Sequence, residues 1–237
     1  MTAADLLDRA IALNADLLQV NDNLEFSSID WTSLSSKAKS NRIELQVGNV
    51  GGPEDVILCA KIAGRVGSPI VRFVIGQAFV SQSVHEVADD FRDAARICME
   101  NGARLAIENH DFFTTKQLAE IVSLIGHGCS ITLDTANSLA TLEGTECIVN
   151  HLGPHVVCLH AKDIVLEREF HMLGFRVFGV PTGHGAVDFH YLRDNLPSLE
   201  SVVLEQWTPP ANNQPPLASE REAVEPGLNF LRGVWAS

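Results

Sequence analysis

The chain of 237 residues is long enough to bury the core of one barrel-sized α/β domain, and its content of 46% hydrophobic and 20% charged residues excludes wholesale disorder. With 30 acidic against 17 basic residues, the formal net charge of −13 disfavours nucleic acid as a partner. No apolar run reaches the ~18 residues that span a bilayer, and the N-terminus has acidic residues where a signal peptide is basic, so we expect a cytoplasmic protein with no membrane partner.

Short apolar segments alternate with longer segments of helical period from one end of the chain to the other. This rhythm predicts repeated βα units around a parallel sheet. The predicted strands cover residues 16–22, 42–49, 69–76, 104–110, 129–135, 156–163 and 201–207. The predicted crossover helices are AADLLDRAIALN, EDVILCAKIAGRVG, HEVADDFRDAARICMENG, TKQLAEIVSLIG and DFHYLRDNLPSL.

The architecture that best fits this rhythm is a single α/β domain over residues 1–237, folded as a (β/α)8 TIM barrel. Seven strands are visible, so we expect the first strand to be missing, through a miscalled start or truncation, or the barrel to be open at one edge. An open, doubly wound sheet is the alternative, but the G-x-G-x-x-G turn typical of dinucleotide binders is absent from the sequence.

One long segment interrupts the rhythm, at about residues 164–188 between a strand and its helix. Because loops of this length are usually functional or disordered, we interpret it as an active-site lid. Its aromatic residues Phe170, Phe175 and Phe178 either pack on a second subunit or cover the pocket of their own subunit. The Pro-rich segment 208–217 is predicted to be a surface connection to a closing helix, SEREAVEPGLNFLRGV.

Four predicted strands end in a residue that can bind a metal, each after three or four mostly apolar residues. These residues are Glu108, Asp134, His160 and Glu205. Since functional groups of such barrels gather at the carboxyl ends of the strands, the four side chains are expected to converge. Taken singly, each is more often a helix cap, a solvated acid or a core histidine, but the shared register favours a site for Mn²⁺, Mg²⁺, Co²⁺ or Zn²⁺.

The motifs IENHD, LDTANS, LHAKD, GHGAVDF and VLEQW occur in this order and resemble those of the xylose isomerase-like TIM-barrel superfamily, the sugar phosphate isomerase/epimerase group. The group includes ketose 3-epimerases, hydroxypyruvate isomerase, inosose isomerase and dehydratase, and 3-oxo-isoapionate decarboxylase. The resemblance implies that the four strand-end residues bind one divalent ion and that Glu108 and Glu205 also move protons. It further implies dimers or tetramers.

Five further residues are candidates for contacts with substrate: His110, Asn137, Lys162, His171 and His184. Asn137 stands where many epimerases of this group have a substrate-binding histidine, and Lys162 and Asp163 follow His160 where an arginine is often found. Lys162 is a candidate to donate to a developing oxyanion or to bind a substrate carboxylate, and a salt bridge to Asp163 or Glu108 is the alternative. Weaker pocket candidates are Gln19, Asn21, Asp22, Arg72 and Trp207.

The leading hypothesis is a divalent-metal-dependent isomerase or epimerase of a small ketose, polyhydroxy ketone or oxo sugar acid, acting through an enediolate. The alternative is a metal-dependent lyase, a decarboxylase or dehydratase, on a related oxo sugar acid. An abasic-site endonuclease is disfavoured because it needs a trinuclear zinc cluster and a basic surface. A degraded paralogue that keeps only metal-binding residues is the non-enzymatic hypothesis.

Overall fold

The computed structural model of the chain describes residues 1–209 and 215–236, apart from the side chain of Pro216. The chain divides into two compact units, Met1–Thr132 and Leu133–Ser237. Each unit is built mainly from βα elements.

The first unit contains five helices and a parallel sheet. The helices are α1 (Ala3–Ala12), α2 (Trp31–Ser40), α3 (Pro53–Val66), α4 (Val84–Glu100) and α5 (Thr115–Ile125). The strands are β1 (Leu17–Val20), β2 (Glu44–Gly51), β3 (Ile70–Ile75), β4 (Arg104–Glu108) and β5 (Cys129–Asp134), the last two residues of β5 belonging to the second unit. From β2 to β5, each strand pairs in parallel with the strand before it in the chain.

Apolar side chains on the strands and on one face of each helix make the core of this unit. All six residues of β3 are buried, as expected of a parallel strand covered on both faces. Phe73 of β3 lies 5.8 Å, between ring centroids, from Phe91 of α4, and both rings are fully buried. Helix α3 ends at Gly67, whose positive φ of 81° closes the helix at no cost from a Cβ atom.

The described residues of the second unit form three α-helices, a parallel pair of strands and a hairpin. The helices are α6 (Thr145–Leu152), α7 (Phe189–Asn195) and α8 (Pro216–Ala236), and the strands are β6 (Val156–Ala161), β7 (Asp163–Arg168), β8 (Phe175–Val180) and β9 (Ser201–Leu204). Strands β6 and β9 pair in parallel, with His160 opposite Val203. Strands β7 and β8 pair with each other in antiparallel orientation over six residues each.

All seven predicted strands are present as β1 to β6 and β9, and each predicted helix is confirmed within a few residues of its ends. Within the described ranges the chain forms two further α-helices, α2 and α6, which the periodicity did not indicate. Most of the segment at about 164–188 has regular structure, since it forms the β7–β8 hairpin. Of the predicted connection at 208–217, residues 210–214 lie outside the described part of the chain.

No helix in the described ranges has both the length and the apolar character needed to cross a bilayer.

Candidate functional site

Three of the four predicted metal ligands lie together in the second unit, at or next to the carboxyl ends of strands. Asp134 is the last residue of β5, His160 is the fifth of six residues in β6, and Glu205 directly follows β9. The backbone N–H of Glu205 donates to the carbonyl oxygen of Ala161 at 3.3 Å, which continues the pairing of β6 with β9. This pairing brings the carboxylate of Glu205 to the imidazole of His160, with 2.7 Å between Oε2 and Nδ1.

Lys162 joins these residues from the end of β6. Its Nζ atom lies 2.8 Å from Oδ2 of Asp134 and 3.1 Å from Oε1 of Glu205. We call Asp134, His160, Lys162 and Glu205 the strand-end cluster. Asp134 and His160 are fully buried, whereas 37% of the Glu205 side chain is exposed, so the cluster is accessible from the side of Glu205.

Backbone contacts fix the orientation of Asp134 within the cluster. Its Oδ1 atom accepts hydrogen bonds from the backbone N–H groups of Ala136 and Asn137 at 2.8 and 2.9 Å. These bonds start the 3₁₀ turn Asn137–Thr141, and Oδ2 faces the lysine ammonium. The hydroxyl of Thr135 accepts from the backbone N–H of Lys162 at 2.9 Å, which ties the ends of β5 and β6 together.

Asp163 has a different role from its neighbour Lys162. Its buried carboxylate accepts four backbone hydrogen bonds of 2.8 to 3.2 Å, from the N–H groups of Ile164, Gly183, Gly185 and Val187. A Cβ atom at Gly185 would lie 2.1 Å from Oδ1 of Asp163, which explains why the second glycine of the GHGAVD motif is a glycine. The expected alternative of a salt bridge between Lys162 and Asp163 is therefore wrong, because Lys162 pairs with Asp134 and Glu205.

The fourth predicted ligand, Glu108, ends β4 in the first unit and is only 2% exposed. Its carboxylate forms an ion pair with Nε of the buried Arg72 on β3. A second nitrogen of that guanidinium, Nη1, lies 3.3 Å from Oδ1 of Asp22. Glu108 thus has a buried arginine as counterion, a partner that the sequence analysis named only as a candidate to line the pocket.

The predicted substrate contacts are dispersed. The side chain of Asn137 accepts from Nζ of Lys162 at 3.3 Å, so both residues belong to the surroundings of the strand-end cluster. In the first unit, His110 is half-buried, with Nδ1 3.5 Å from a carboxylate oxygen of Asp111. In the described part of the second unit, His171 contacts only its neighbours in the hairpin turn, and His184 is exposed in the turn after β8.

Two features of the site were missed at the level of sequence. The hydroxyl of Thr135 links β5 to β6, and the only signal for it was the threonine that directly follows Asp134 in LDTANS. The pairing of Arg72 with Glu108 joins neighbouring strands, and the sequence gives no register for that pair.

Parallel βα units with carboxylates and an imidazole at the carboxyl ends of the strands define a protein of the (β/α) barrel class. A family model described as the xylose isomerase-like TIM barrel matches residues 53–233. The chain belongs to this family, which confirms the resemblance and the fold class expected from the sequence. A comparison with curated proteins gives no match.

Solved structures of low sequence identity share the fold. "The probable 3-DHS dehydratase AsbF involved in the petrobactin synthesis from Bacillus anthracis" is 15% identical, with a TM-score of 0.73 over 98% of this chain and 93% of that chain. An L-ribulose 3-epimerase is 14% identical, with a TM-score of 0.68 over 98% and 92%. The IOLI protein, described with a bound zinc atom, is 14% identical, with a TM-score of 0.73 over 99% and 91%.

Proposed function

We propose that the chain is a divalent-metal-dependent isomerase or epimerase of a small ketose, polyhydroxy ketone or oxo sugar acid, acting through an enediolate. The observation that carries the proposal is the strand-end cluster, in which two carboxylates, an imidazole and an ammonium lie within 3.1 Å of their partners in a barrel of this family. Structures that share the fold include an epimerase and a protein with a bound zinc atom.

The residues present fit a divalent ion. Oxygen ligands with a single imidazole suit Mn²⁺, Mg²⁺, Co²⁺ or Zn²⁺, and the cluster offers Asp134, His160 and Glu205. Asp134 and Glu205 both direct a carboxylate oxygen at the Lys162 ammonium, so these oxygens already lie where a positive charge is bound. We assign Glu108 as the fourth ligand from its position at the end of β4 and from the family motif IENHD.

When bound, the ion would stabilise the negative charge of the enediolate oxygens. Glu205, which is partly exposed, removes the proton from the α-carbon of the substrate, and the C–H bonding electrons pass into the enediolate. Glu108 returns a proton, either to the neighbouring carbon in isomerisation or to the other face of the same carbon in epimerisation. The carboxylate of Glu205 also lies beside the His160 imidazole, with 2.7 Å between Oε2 and Nδ1.

Lys162 and Asn137 are the residues that we assign to substrate binding in the second unit. The ammonium is placed to donate to a developing oxyanion or to a substrate carboxylate, and the Asn137 side chain helps to hold it. We keep His110, His171 and His184 as candidate contacts of a closed complex, because in the described structure they lie in or beside turns.

A lyase is the second candidate. It is favoured by Asn137, which lies beside Lys162 and stands where many epimerases of this group have a substrate-binding histidine. In a decarboxylation, the electrons of the breaking C–C bond form the same enediolate while carbon dioxide leaves, and the general acid then protonates the carbon. A dehydratase shares the fold, which keeps loss of water within the same class of chemistry.

The test is a screen of ketoses and oxo sugar acids in D₂O with Mn²⁺, which follows both deuterium uptake and release of carbon dioxide. Deuterium at the α-carbon without carbon dioxide supports the isomerase, and carbon dioxide release supports the lyase. Glu205→Gln is expected to lower turnover about 100-fold or more, since it removes the proton-transfer group. Turnover like that of the control Glu167→Gln, a change on the exposed side of the hairpin, would refute the role of Glu205.

A further inference from the structure

A second group of metal-binding residues lies away from the strand-end cluster, at helix α6. Glu143, Cys147 and His151 are spaced by four residues, and all three are half-buried. The Sγ atom of Cys147 lies 3.7 Å from Oε1 of Glu143 and 3.7 Å from Nδ1 of His151. A helix brings residues four apart onto one face, so α6 places Cys147 beside His151, and Glu143 reaches Cys147 from the turn before the helix.

These separations are close to those of ligands that share one tetrahedral ion. With zinc to sulfur at ~2.3 Å and zinc to nitrogen or oxygen at ~2.1 Å, tetrahedral angles put the sulfur about 3.6 Å from each of the other ligands. The donor set is one thiol, one imidazole and one carboxylate, a combination that zinc accepts. Three protein ligands would leave a fourth position for water.

Cys147 is the cysteine best suited to bind a cation. Burial raises the pKa of the thiols of Cys59 and Cys98 to about 12, so these thiols stay protonated at neutral pH. Burial also raises the pKa of Cys129 well above its usual range. By contrast, Cys147 is half-buried on a short helix, beside a carboxylate and an imidazole.

A threonine supports the carboxylate of this group. The hydroxyl of Thr141 lies 2.8 Å from Oε2 of Glu143 and 2.9 Å from the carbonyl oxygen of Ser138, and it can donate to either. A bond to Oε2 leaves Oε1 directed at Cys147. Partners of this kind hold metal ligands in place, and their loss typically lowers metal affinity 10- to 100-fold.

We propose that Glu143, Cys147 and His151 form a second metal site, which takes a zinc-like divalent cation that accepts sulfur. Thiolate ligands select such ions over Mg²⁺ and Mn²⁺, so this site differs in chemistry from the carboxylate-rich strand-end cluster. It does not depend on the function proposed above. A cation there would cross-link the turn before α6 to the body of that helix.

Titration of the chain of 237 residues with Co²⁺ tests the site, because a cobalt–thiolate bond gives a charge-transfer absorption that oxygen and nitrogen ligands do not. We expect this absorption in the wild type and in the control Cys158→Ser, and its loss in Cys147→Ser. Glu143→Gln and His151→Gln should weaken Co²⁺ binding at least tenfold, and Thr141→Val about tenfold. Glu146→Gln, an exposed change on the same helix, should leave the affinity unchanged.

Absence of the absorption in the wild type, or its persistence in Cys147→Ser, would overturn the proposal. So would normal Co²⁺ affinity in both Glu143→Gln and His151→Gln, because the thiol would then bind without the other two ligands. Thermal unfolding of every variant checks that the fold is intact, and Zn²⁺ competition should remove the cobalt signal in the wild type.

Discussion

Lys162 is the residue on which the charge balance of the strand-end cluster depends. Its ammonium bridges the fully buried Asp134 and the partly exposed Glu205. A buried carboxylate that loses a cationic neighbour keeps its desolvation penalty but loses part of the attraction that offsets it, which is costly. A divalent ion bound by the same carboxylates would also offset their negative charge. The lysine and the metal would therefore act on the same two carboxylates.

Lys162→Met is therefore expected to destabilise the metal-free protein by about 3 kcal/mol, because Asp134 stays buried without the ammonium beside it. Addition of Mn²⁺ should restore more stability to this variant than it gives the wild type. Urea unfolding with and without Mn²⁺ measures both effects, and Lys116→Met, an exposed change on α5, is the control. An unchanged stability, or an equal response to Mn²⁺ in both proteins, would contradict this account of Lys162.

The candidate ligands could be predicted from sequence because each follows an apolar run at the same distance. Their partners could not. The contacts of Lys162 with Asp134 and Glu205 depend on how side chains on three different strand ends point, and no local pattern encodes this. The role of Asp163 could not be predicted for the same reason, since the four backbone N–H groups that donate to it come from both ends of the hairpin.

Among the elements, the β7–β8 hairpin is anchored at its base by Asp163. Both carboxylate oxygens accept two backbone N–H groups each, and together these bonds join the start of β7 to the turn that precedes α7. Asp188 then caps α7 by accepting from the backbone N–H of Tyr191 at 2.9 Å. A single carboxylate thus fixes where the hairpin ends and the next helix begins.

Asp163→Asn should destabilise the protein by about 3 kcal/mol, because hydrogen bonds to a charged group are lost and the new amide NH₂ faces two backbone donors. Urea unfolding measures this loss against Glu167→Gln, which lies on the same hairpin and is exposed. The turn at residues 181–187 should also exchange its amide hydrogens faster. Stability equal to that of the control would show that the four bonds are replaced by water at little cost.

Prediction of elements succeeded where apolar residues form a clear run and failed where they are spread among polar ones. Strand β3 is buried at every position and was identified from its apolar run. Helix α2 has Trp31, Leu34 and Ala38 as its apolar buried residues among serines and lysines, so its periodicity is faint, and its start is marked by Asp30, which accepts from the backbone N–H of Ser33. The segment at about 164–188 is interpreted as a lid from its length, and its two strands are not among the seven predicted from the sequence.

For the whole molecule, the rhythm of strands and helices predicted a parallel α/β fold and favoured a barrel over a doubly wound sheet, since parallel strands with helical crossovers have few arrangements. The residues at the turn of the β7–β8 hairpin are apolar but exposed, so the packing of strands and helices does not explain them. Phe170 is 92% exposed, Leu173 is 86% exposed and Met172 is 64% exposed. Contiguous exposed apolar side chains are typical of interaction sites.

We expect this turn to mediate self-association into a homodimer or homotetramer, in line with the assembly that the family resemblance implies. The double variant Phe170→Ser and Leu173→Ser should shift the protein to monomer, because it removes apolar surface that association would bury. Its folding stability should change by less than about 0.5 kcal/mol, since both side chains are exposed within the chain.

Analytical ultracentrifugation over a range of concentrations measures the assembly. Leu142→Ser, which alters a side chain that is 94% exposed outside the hairpin, should leave the assembly unchanged. A wild type that stays monomeric at every concentration would favour the alternative, in which the hairpin covers the pocket of its own subunit.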